Sequence, residues 1–304
     1  MLKLKERKLK KALEKLSLER LIFDAPMAEY TSFKCGGRAY CLAEPSDESD
    51  IKTLIDIAKS FGKEYLILGN GSNMLFSDRG YDGIVIRIAK AFSDVNIDGN
   101  IVTAGAGALI SSVSKAAAAN NLSGLEFACG IPGSVGGAVF MNAGAYDHDI
   151  SECIKSVKSA DAEGNVKERS APELELSYRH SIFEDNKEII LEASFELKPD
   201  EISEIEARMA DYTARRTSKQ PLSHPSAGSF FKRPLGNFAG TLIEKSGLKG
   251  LQIGGAQVSE LHAGFIINTG NATAQNVIDL MNVVRETVLN DSGVELEPEV
   301  RIID

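Results

Sequence analysis

The sequence lacks several features that would assign it at once to a class of proteins. No apolar run approaches the ~20 residues of a membrane span. Basic residues interrupt every apolar step near the N-terminus, so we expect no secretory signal either. Cysteine is scarce: Cys35, Cys41, Cys129 and Cys153 show no C-x-x-C spacing, which argues against zinc or another bound metal. Unclustered cysteines also fit a reducing compartment, and we expect the protein in the cytoplasm.

Common nucleotide-binding and hydrolase motifs are missing too. No Gly-Lys-Ser/Thr closes a nucleoside-triphosphate P-loop. The dinucleotide pattern G-x-G-x-x-G fails at Gly69-Asn-Gly-Ser-Asn-Met and at Gly105-Ala-Gly-Ala-Leu-Ile, because both lack the third glycine. No G-x-S-x-G elbow and no Ser-His-Asp order indicates a hydrolase.

Charge is unevenly distributed along the chain. The net charge of −9 argues against a nucleic-acid partner. Residues 1–20, however, hold eight basic and three acidic residues, and Leu9, Leu13 and Leu16 fall on one helical face. This region is either a helix for a membrane surface or partner, or an amphipathic helix packed on the body of the protein. We favour the second interpretation.

The most informative segment that is present is residues 124–146, with glycines at 130, 133, 136, 137 and 144 among small and apolar residues. Glycine lets a backbone approach a ligand closely, and its bare N–H groups can face an anion. The segment therefore predicts a buried backbone cradle for a phosphate-bearing ligand. The alternative is a glycine-rich turn packed between core elements.

A second segment has the same character. The apolar run at residues 65–68 predicts a buried strand, and Gly69-Asn-Gly-Ser-Asn follows it directly. Two such loops suggest a ligand with two phosphates or a long polar spine.

Periodicity predicts mixed helices and strands without strict βαβ alternation, which indicates α+β domains. Helices are expected at 51–61, 108–119, 201–216 and 273–289, and strands at 65–68, 84–88, 101–104, 188–197, 264–268 and 300–303. The polar, proline-containing stretch at 218–225 predicts an inter-domain linker.

Three residues stand out as candidates for chemistry. Arg179 suits a carboxylate or phosphate but also a surface salt bridge. Ser229 lies between a glycine and two phenylalanines, where its hydroxyl either faces a closed pocket or caps a turn. Glu299 opens an apolar terminal strand, where an unpaired carboxylate is costly unless it pairs with Arg301.

Taken together, these segments resemble the UDP-N-acetylenolpyruvoylglucosamine reductase family, in order from about residue 30 onward. The matching pieces are Thr31-Ser-Phe-Lys-Cys-Gly-Gly-Arg-Ala, Leu68-Gly-Asn-Gly-Ser-Asn-Met-Leu, Gly130-Ile-Pro-Gly-Ser-Val-Gly-Gly-Ala, Met141-Asn-Ala-Gly-Ala-Tyr, Tyr178-Arg, Ala227-Gly-Ser-Phe-Phe-Lys, Leu248-Lys-Gly and Leu296-Glu-Pro-Glu-Val-Arg. The glycine-rich pieces alone would indicate only the wider flavin fold. Their combination with Gly-Ser-Phe-Phe-Lys and Glu-Pro-Glu-Val-Arg is specific.

The resemblance implies an α+β protein with a vanillyl-alcohol-oxidase or PCMH-type FAD-binding module. The expected domains are an N-terminal basic helix region at 1–29, the FAD-binding module at 30–199 with subdomains at about 30–90 and 91–199, and a smaller substrate-binding domain at 200–304. FAD is expected to be held non-covalently, and Cys35 is interpreted as a core residue.

The implied FAD contacts fall in the two glycine-containing segments. They are Leu68, Gly69, Asn70, Gly71, Ser72, Asn73, Gly130, Ile131, Pro132, Gly133, Ser134, Gly136, Gly137, Ala138, Asn142 and Gly144.

By the same resemblance, NADPH reduces the flavin and then leaves, and UDP-N-acetylglucosamine enolpyruvate accepts the hydride. Arg179 and Glu299 would stabilise an enolate-like species, and Ser229 would donate the proton. Lys219, Lys232, Arg233 and Lys249 are implied substrate contacts, and Lys232 is also a candidate cation beside Ser229. Arg233 stands where some relatives have asparagine. We expect a monomer.

One departure concerns the segment after Arg179. Some relatives insert a loop there whose tyrosine folds over the substrate, whereas here residues 182–184 lead almost directly to the next strand, as in the shorter type of the family. The rival interpretations are another oxidoreductase of the same flavin fold and a non-enzymatic flavin or UDP-sugar binder.

Overall fold

The computed structural model describes residues 2–304, with side chains from Leu4 onward; Met1, the first residue of the predicted N-terminal region, lies outside the described residues. The α-helices of this part of the chain are α1 (Leu2–Leu13), α2 (Glu48–Phe61), α3 (Ile110–Ala119), α4 (Val135–Phe140), α5 (Ile182–Asn186), α6 (Ile202–Lys219), α7 (Ala239–Lys245) and α8 (Ala274–Ser292).

The strands are β1 (Arg20–Pro26), β2 (Arg38–Glu44), β3 (Glu64–Leu68), β4 (Met74–Phe76), β5 (Tyr81–Arg87), β6 (Val95–Asp98), β7 (Ile101–Gly105), β8 (Leu122–Ser123), β9 (Gly144–Ala145), β10 (His148–Asp149), β11 (Ile154–Ala160), β12 (Val166–Ser170), β13 (Ile189–Glu196), β14 (Lys198–Pro199), β15 (Ser226–Ser229), β16 (Gln252–Ile253), β17 (Ala256–Val258), β18 (Phe265–Asn268) and β19 (Arg301–Ile303).

Every predicted helix and strand is confirmed, with shifts of a few residues at the ends. The predicted linker at 218–225 starts too early, because Ser218 and Lys219 still belong to α6. The helix continues since neither residue breaks it, and Pro221 is the first residue that cannot extend it.

Contacts divide the chain into two units that are each discontinuous in sequence. The first unit comprises Met1–Asp24, Tyr40–Asn70 and Asp82–Ala214. The second comprises Ala25–Ala39, Gly71–Tyr81 and Arg215–Asp304. These units are defined by contacts, and the domain boundaries predicted at 29/30 and 199/200 remain predictions.

The first unit is built mainly on two sheets. One has the strand order β1-β2-β5-β3, with β3 and β5 parallel. The other has the order β12-β11-β13-β7-β6, and its pairs are antiparallel. Strand β13 alternates buried and half-buried residues along its second half, as expected for a strand with one face on the core. Helix α2 is capped by Asp47, whose side chain accepts the Asp50 N–H, and ends at the left-handed Gly62.

The N-terminal helix α1 belongs to the core of the first unit. Leu9 and Leu13 are fully buried among residues of α2 and the sheets, and Leu16 packs against the same cluster. Lys10 lies 4.8 Å from the centre of the Phe23 ring. The interpretation of a helix packed on the body is therefore confirmed.

The second unit contains the antiparallel sheet β15-β18-β17-β16, covered by α8. Helix α8 begins with a capping box between Thr273 and Asn276 and ends at the left-handed Gly293. Strands β4 and β19 pair in parallel beside this sheet's core. The rings of Phe33 and Phe230 pack edge to face with their centres 6.3 Å apart, so residues distant in sequence share one core.

Candidate functional site

The loop after β3 meets the glycine-rich segment within the first unit. The Asn70 Nδ2 donates to the Pro132 carbonyl at 2.6 Å. A Cβ on Gly69 would lie 2.3 Å from the Ser134 Oγ, so a side chain here would displace the Ser134 hydroxyl. The two loops that sequence reasoning paired are therefore adjacent at Gly69 and Asn70.

Several backbone N–H groups of these loops have no protein acceptor. Within residues 4–304, no hydrogen bond is found for the N–H groups of Gly69, Asn70, Gly133 or Ser134. Ser134 is only 2% exposed. Gly133 and Ser134 are buried, whereas Gly69 is half-buried and Asn70 exposed. Buried N–H groups are almost always paired, so this edge is suited to an anionic ligand that accepts hydrogen bonds. A pyrophosphate fits that requirement.

The N–H groups of the glycines further along the segment, unlike that of Gly133, are bonded within the protein. The Gly136 N–H donates to the Ala106 carbonyl at 2.8 Å, and a Cβ on Gly136 would lie 3.0 Å from the Ala106 Cβ. The Gly137 N–H donates to the hydroxyl of Ser134, which caps α4. For Gly136 the close approach is to the protein itself, as the alternative interpretation proposed, whereas a Cβ on Gly137 would meet only the Ser134 hydroxyl, at 3.4 Å.

In the second unit, the loop continues at Gly71, which is buried and has a φ of +64°. A Cβ there would lie 2.0 Å from the Tyr30 carbonyl oxygen. The Ser32 N–H donates to the Gly71 carbonyl at 3.1 Å, and the Ser32 hydroxyl donates to the Ser72 carbonyl at 3.3 Å. The segment 30–32 therefore holds this part of the loop in place.

Arg179 occupies a tight turn in the first unit. The N–H groups and carbonyls of Ser177 and His180 bond reciprocally at 3.2 Å, which leaves Tyr178 and Arg179 as the two central residues. Arg179 has a φ of +55°, a conformation that glycine or asparagine usually adopts at such a position. Its guanidinium lies 5.0 Å from the centre of the Tyr178 ring.

Ser229 ends β15 in the second unit, after a break in strand register. Ser226 pairs with Ile267 and Ser229 with Phe265, so β15 carries one extra residue. This is a β-bulge, and Gly228 within it has a φ of +79°. The bulge leaves Ser229 exposed while Phe230 is fully buried.

Glu299 lies on the segment directly beside Ser229. The Glu299 N–H donates to the Phe230 carbonyl at 2.8 Å, and Phe231 forms an isolated bridge with Pro298. The Asn73 Nδ2 donates to the Glu299 carbonyl at 3.0 Å. The second unit thus brings together two of the three predicted catalytic residues and the end of the Gly69–Asn73 loop.

The four predicted substrate-binding residues have varied surroundings. The Lys232 Nζ lies 2.6 Å from a Glu297 carboxylate oxygen, two residues before Glu299, and the Lys249 Nζ lies 3.2 Å from Glu244. The exposed Arg233 lies 4.6 Å from the centre of the Phe238 ring. Lys219 is exposed at the end of α6.

Sequence reasoning missed Glu126, a buried carboxylate inside the glycine-rich segment. It accepts the Gly124 N–H at 2.6 Å, and the Arg208 guanidinium lies 2.8 Å away. Burial raises the pKa of Glu126, but these hydrogen bonds outweigh it and hold the pKa below its ordinary range. An acidic residue in an otherwise apolar run was the available signal.

Cys35 is a core residue, as predicted. It is 3% exposed in the second unit, and burial, together with the nearby Asp78, raises the pKa of its thiol to about 12. A thiol of this kind is a poor nucleophile. Across residues 2–304, no helix is long and apolar enough to cross a bilayer, and the described side chains hold no His, Cys, Asp and Glu cluster suited to a metal.

Comparison with known families matches two consecutive stretches of the chain. The family described as FAD binding domain matches residues 39–170, which include the Gly69–Asn73 loop and the glycine-rich segment. A second family, the C-terminal domain of UDP-N-acetylenolpyruvoylglucosamine reductase, matches residues 220–303. The protein is therefore an FAD-binding oxidoreductase.

Whole-chain relatives narrow this class. UDP-N-acetylenolpyruvoylglucosamine reductase of Clostridium perfringens (strain SM101 / Type A) is 50% identical over 285 residues, which cover 94% of this chain and 93% of the relative. The solved structure of the enzyme from Thermus caldophilus has a TM-score of 0.81 at 33% identity, covering 94% of this chain and 98% of that one. The chain belongs to the UDP-N-acetylenolpyruvoylglucosamine reductase family.

A more distant structure supports the fold alone. Phl p 4.0202, a glucose dehydrogenase, matches with a TM-score of 0.51 at 15% identity, over 64% of this chain and 44% of that chain. The predicted α+β fold with a vanillyl-alcohol-oxidase-type FAD-binding module is confirmed.

Proposed function

We propose that this chain reduces the enolpyruvyl group of UDP-N-acetylglucosamine enolpyruvate to give UDP-N-acetylmuramate, a peptidoglycan precursor, with NADPH as the reductant. Membership of the reductase family supports the reaction, and the FAD-binding match supports the cofactor. We further propose that it works as a monomer in the cytoplasm.

The observation that carries the proposal is the pairing of the Ser229 and Glu299 segments. The hydrogen bond from the Glu299 N–H to the Phe230 carbonyl fixes Glu299 beside the residue that follows Ser229. The bulge at Gly228 turns the Ser229 hydroxyl out of the core. Ser229 and Glu299 therefore lie on adjacent, hydrogen-bonded segments, which supports acid–base chemistry by both residues at one carbon.

FAD, held by the Gly69–Asn70 loop and the glycine-rich segment, would supply the redox chemistry of the reaction, the passage of a hydride from NADPH to the vinyl terminus of the substrate. The chain's own residues then handle charge and proton. Arg179 stabilises negative charge developing on the substrate carboxylate, since a guanidinium matches a carboxylate bidentately. By the pattern of the family, Glu299 also stabilises the enolate-like species, and the Ser229 O–H gives its proton to the carbon next to the carboxylate.

Within the first unit, we assign the cofactor's pyrophosphate to residues 69–70 and 130–137. The unpaired N–H groups of Gly69, Asn70, Gly133 and Ser134 support this assignment. Lys219, Lys232, Arg233 and Lys249 are proposed substrate contacts, and Arg233 and Lys249 among them are candidates for the UDP diphosphate or the NADPH phosphates. Lys249 would then exchange its present partner, the Glu244 carboxylate, for a phosphate.

The experiment follows flavin absorbance anaerobically in the purified holoenzyme. NADPH is expected to bleach the flavin, and UDP-N-acetylglucosamine enolpyruvate to restore its colour. UDP-N-acetylglucosamine without the enolpyruvyl group is the control and should leave the flavin bleached. Bleaching without recovery on the enolpyruvyl substrate would contradict the proposed function.

A further inference from the structure

Asn142 is an unusual residue at the end of the glycine-rich segment. It is 2% exposed and has a φ of +43°, in the left-handed region. Asparagine tolerates this conformation better than other residues with a side chain. Sequence reasoning grouped it with the cofactor contacts, but its surroundings in the first unit indicate another role.

Both ends of the Asn142 amide are engaged with the protein. Its Nδ2 donates to the Ser177 carbonyl at 3.0 Å. Its Oδ1 accepts the Ser151 N–H at 3.0 Å. The amide therefore ties two distant backbone segments together.

The main chain around Asn142 holds the Arg179 guanidinium. Arg179 donates from Nη1 to the Asn142 carbonyl at 3.4 Å and from Nη2 to the Gly144 carbonyl at 3.2 Å. Gly144 cannot carry a side chain there, because a Cβ would lie 2.5 Å from the His148 carbonyl oxygen. Two carbonyls of one segment thus orient the guanidinium.

The same asparagine also supports the strained turn that bears Arg179. The Ser177 carbonyl accepts the His180 N–H, which closes the turn, as well as the Asn142 amide. Left-handed backbone at a non-glycine residue costs free energy and persists where neighbours hold it. Asn142 is therefore bonded both to the Ser177 carbonyl at the base of this turn and to the guanidinium of Arg179.

We propose that Asn142 is a positioning residue that fixes Arg179 for the second half-reaction, and that it is not a contact of FAD. The inference rests on the proposed role of Arg179. Because misplacing a charged group by about 1 Å costs on the order of 100-fold in rate, loss of the Asn142 amide should act on the step in which Arg179 serves.

The first test is Asn142→Gly, which keeps left-handed backbone and removes the amide. FAD content and the rate of flavin reduction by NADPH should stay within about twofold of the parent, while reoxidation by the enolpyruvyl substrate should slow roughly 10- to 100-fold. Asn142→Asp, which replaces the donor to Ser177 with an oxygen that repels the Ser177 carbonyl, should show the same selective loss. Lost FAD, or equal losses in both half-reactions, would overturn the proposal.

The matched control is Asn121→Gly. Asn121 is also left-handed, with a φ of +58°, but it is exposed. We expect both half-reactions of this variant to be unchanged. A selective loss like that of Asn142→Gly would contradict the assignment to Asn142.

The second test combines Asn142→Gly with Arg179→Ala. If Asn142 acts through Arg179, the double variant should be no slower than Arg179→Ala alone. Multiplying losses would mean that Asn142 acts independently.

A crystal structure of Asn142→Gly separates this inference from the proposed function. The guanidinium should leave the carbonyls of residues 142 and 144, whatever Arg179 does chemically. A guanidinium that stays in place would overturn the inference, whereas an Arg179→Ala variant with full activity would overturn only the chemical role of Arg179.

Discussion

The cradle segment (residues 130–138) and the bulge segment (residues 226–232) both depend on glycine, but for opposite reasons. At Gly136 the backbone is ordinary and space is short, since a Cβ would lie 3.0 Å from the Ala106 Cβ. At Gly228 space is open, with nothing within 4 Å of a Cβ, but φ is +79°. The first glycine allows close packing, and the second lets the strand turn Ser229 outward.

The largest effect is expected in the bulge segment, from Ser229→Ala. It should slow flavin reoxidation by the enolpyruvyl substrate about 10²–10⁴-fold, as loss of a general acid does, without changing reduction by NADPH. Stopped-flow absorbance separates the two steps. Ser223→Ala, at an exposed serine of the same unit, is the control and should behave as the parent. Equal slowing of both steps would show that Ser229 is structural.

The next largest effect is expected in the Gly69–Asn73 loop. Gly71→Ala combines a left-handed φ with a Cβ 2.0 Å from the Tyr30 carbonyl, so unfolding free energy should fall by on the order of 3 kcal/mol and FAD retention with it. Urea unfolding and flavin content measure this.

Gly99→Ala is the matched control, because Gly99 has a φ of +57° but nothing within 4 Å of a Cβ. It should lose only about 1–2 kcal/mol, the cost of left-handed alanine. If the two variants lose the same stability, the contact with Tyr30 is not what requires glycine at position 71.

The pair Gly228→Ala and Gly136→Ala tests the comparison directly. Gly228→Ala should cost about 1–2 kcal/mol and slow the Ser229 step, because alanine resists this φ. Gly136→Ala should cost less than about 1 kcal/mol, since its neighbour must move by only a few tenths of an ångström, whereas Gly136→Val should release FAD. If both alanine variants slow proton donation by Ser229 equally, the proposed difference between the two glycines is wrong.

The smallest effect concerns acid stability of the segment before the cradle. The folded-state pKa of Glu126 is lowered, so its bonds stabilise the fold above the unfolded pKa of about 4.3 and lose this effect as pH falls through the folded value. Glu126→Gln should cost about 1 kcal/mol at pH 7, and the cost should shrink steadily as pH falls below the unfolded pKa. Unfolding at several pH values measures the difference between the variant and the parent, and a difference that does not shrink with falling pH would contradict this origin.

Local signals explain what the sequence could predict. Alternating or helical periodicity located each predicted element, and the glycines at 69, 71, 130 and 133 marked two loops that the structure brings together at Asn70 and Pro132. The order of the motifs identified the family. Backbone chemistry of this kind is encoded within a few neighbouring residues.

Long-range contacts explain what could not be predicted. Asn142 meets Ser177 across 35 residues and Glu126 meets Arg208 across 82, and neither pairing has a local signature. The left-handed φ of Arg179 depends on such support, because an isolated turn would not favour arginine there. Whether a glycine is needed because space is short or because φ is positive likewise depends on partners far away in sequence.

The second unit draws its core from three stretches of chain, and this has a practical meaning for dissecting the protein. Phe33, Cys35 and Leu75 are buried in the same cluster as Phe230 and Val277. A fragment cut at residue 215 would leave the partners of those three side chains facing water, and β19 would lack β4. The C-terminal third is therefore not a transplantable module: swapping it between relatives requires exchanging residues 25–39 and 71–81 along with it.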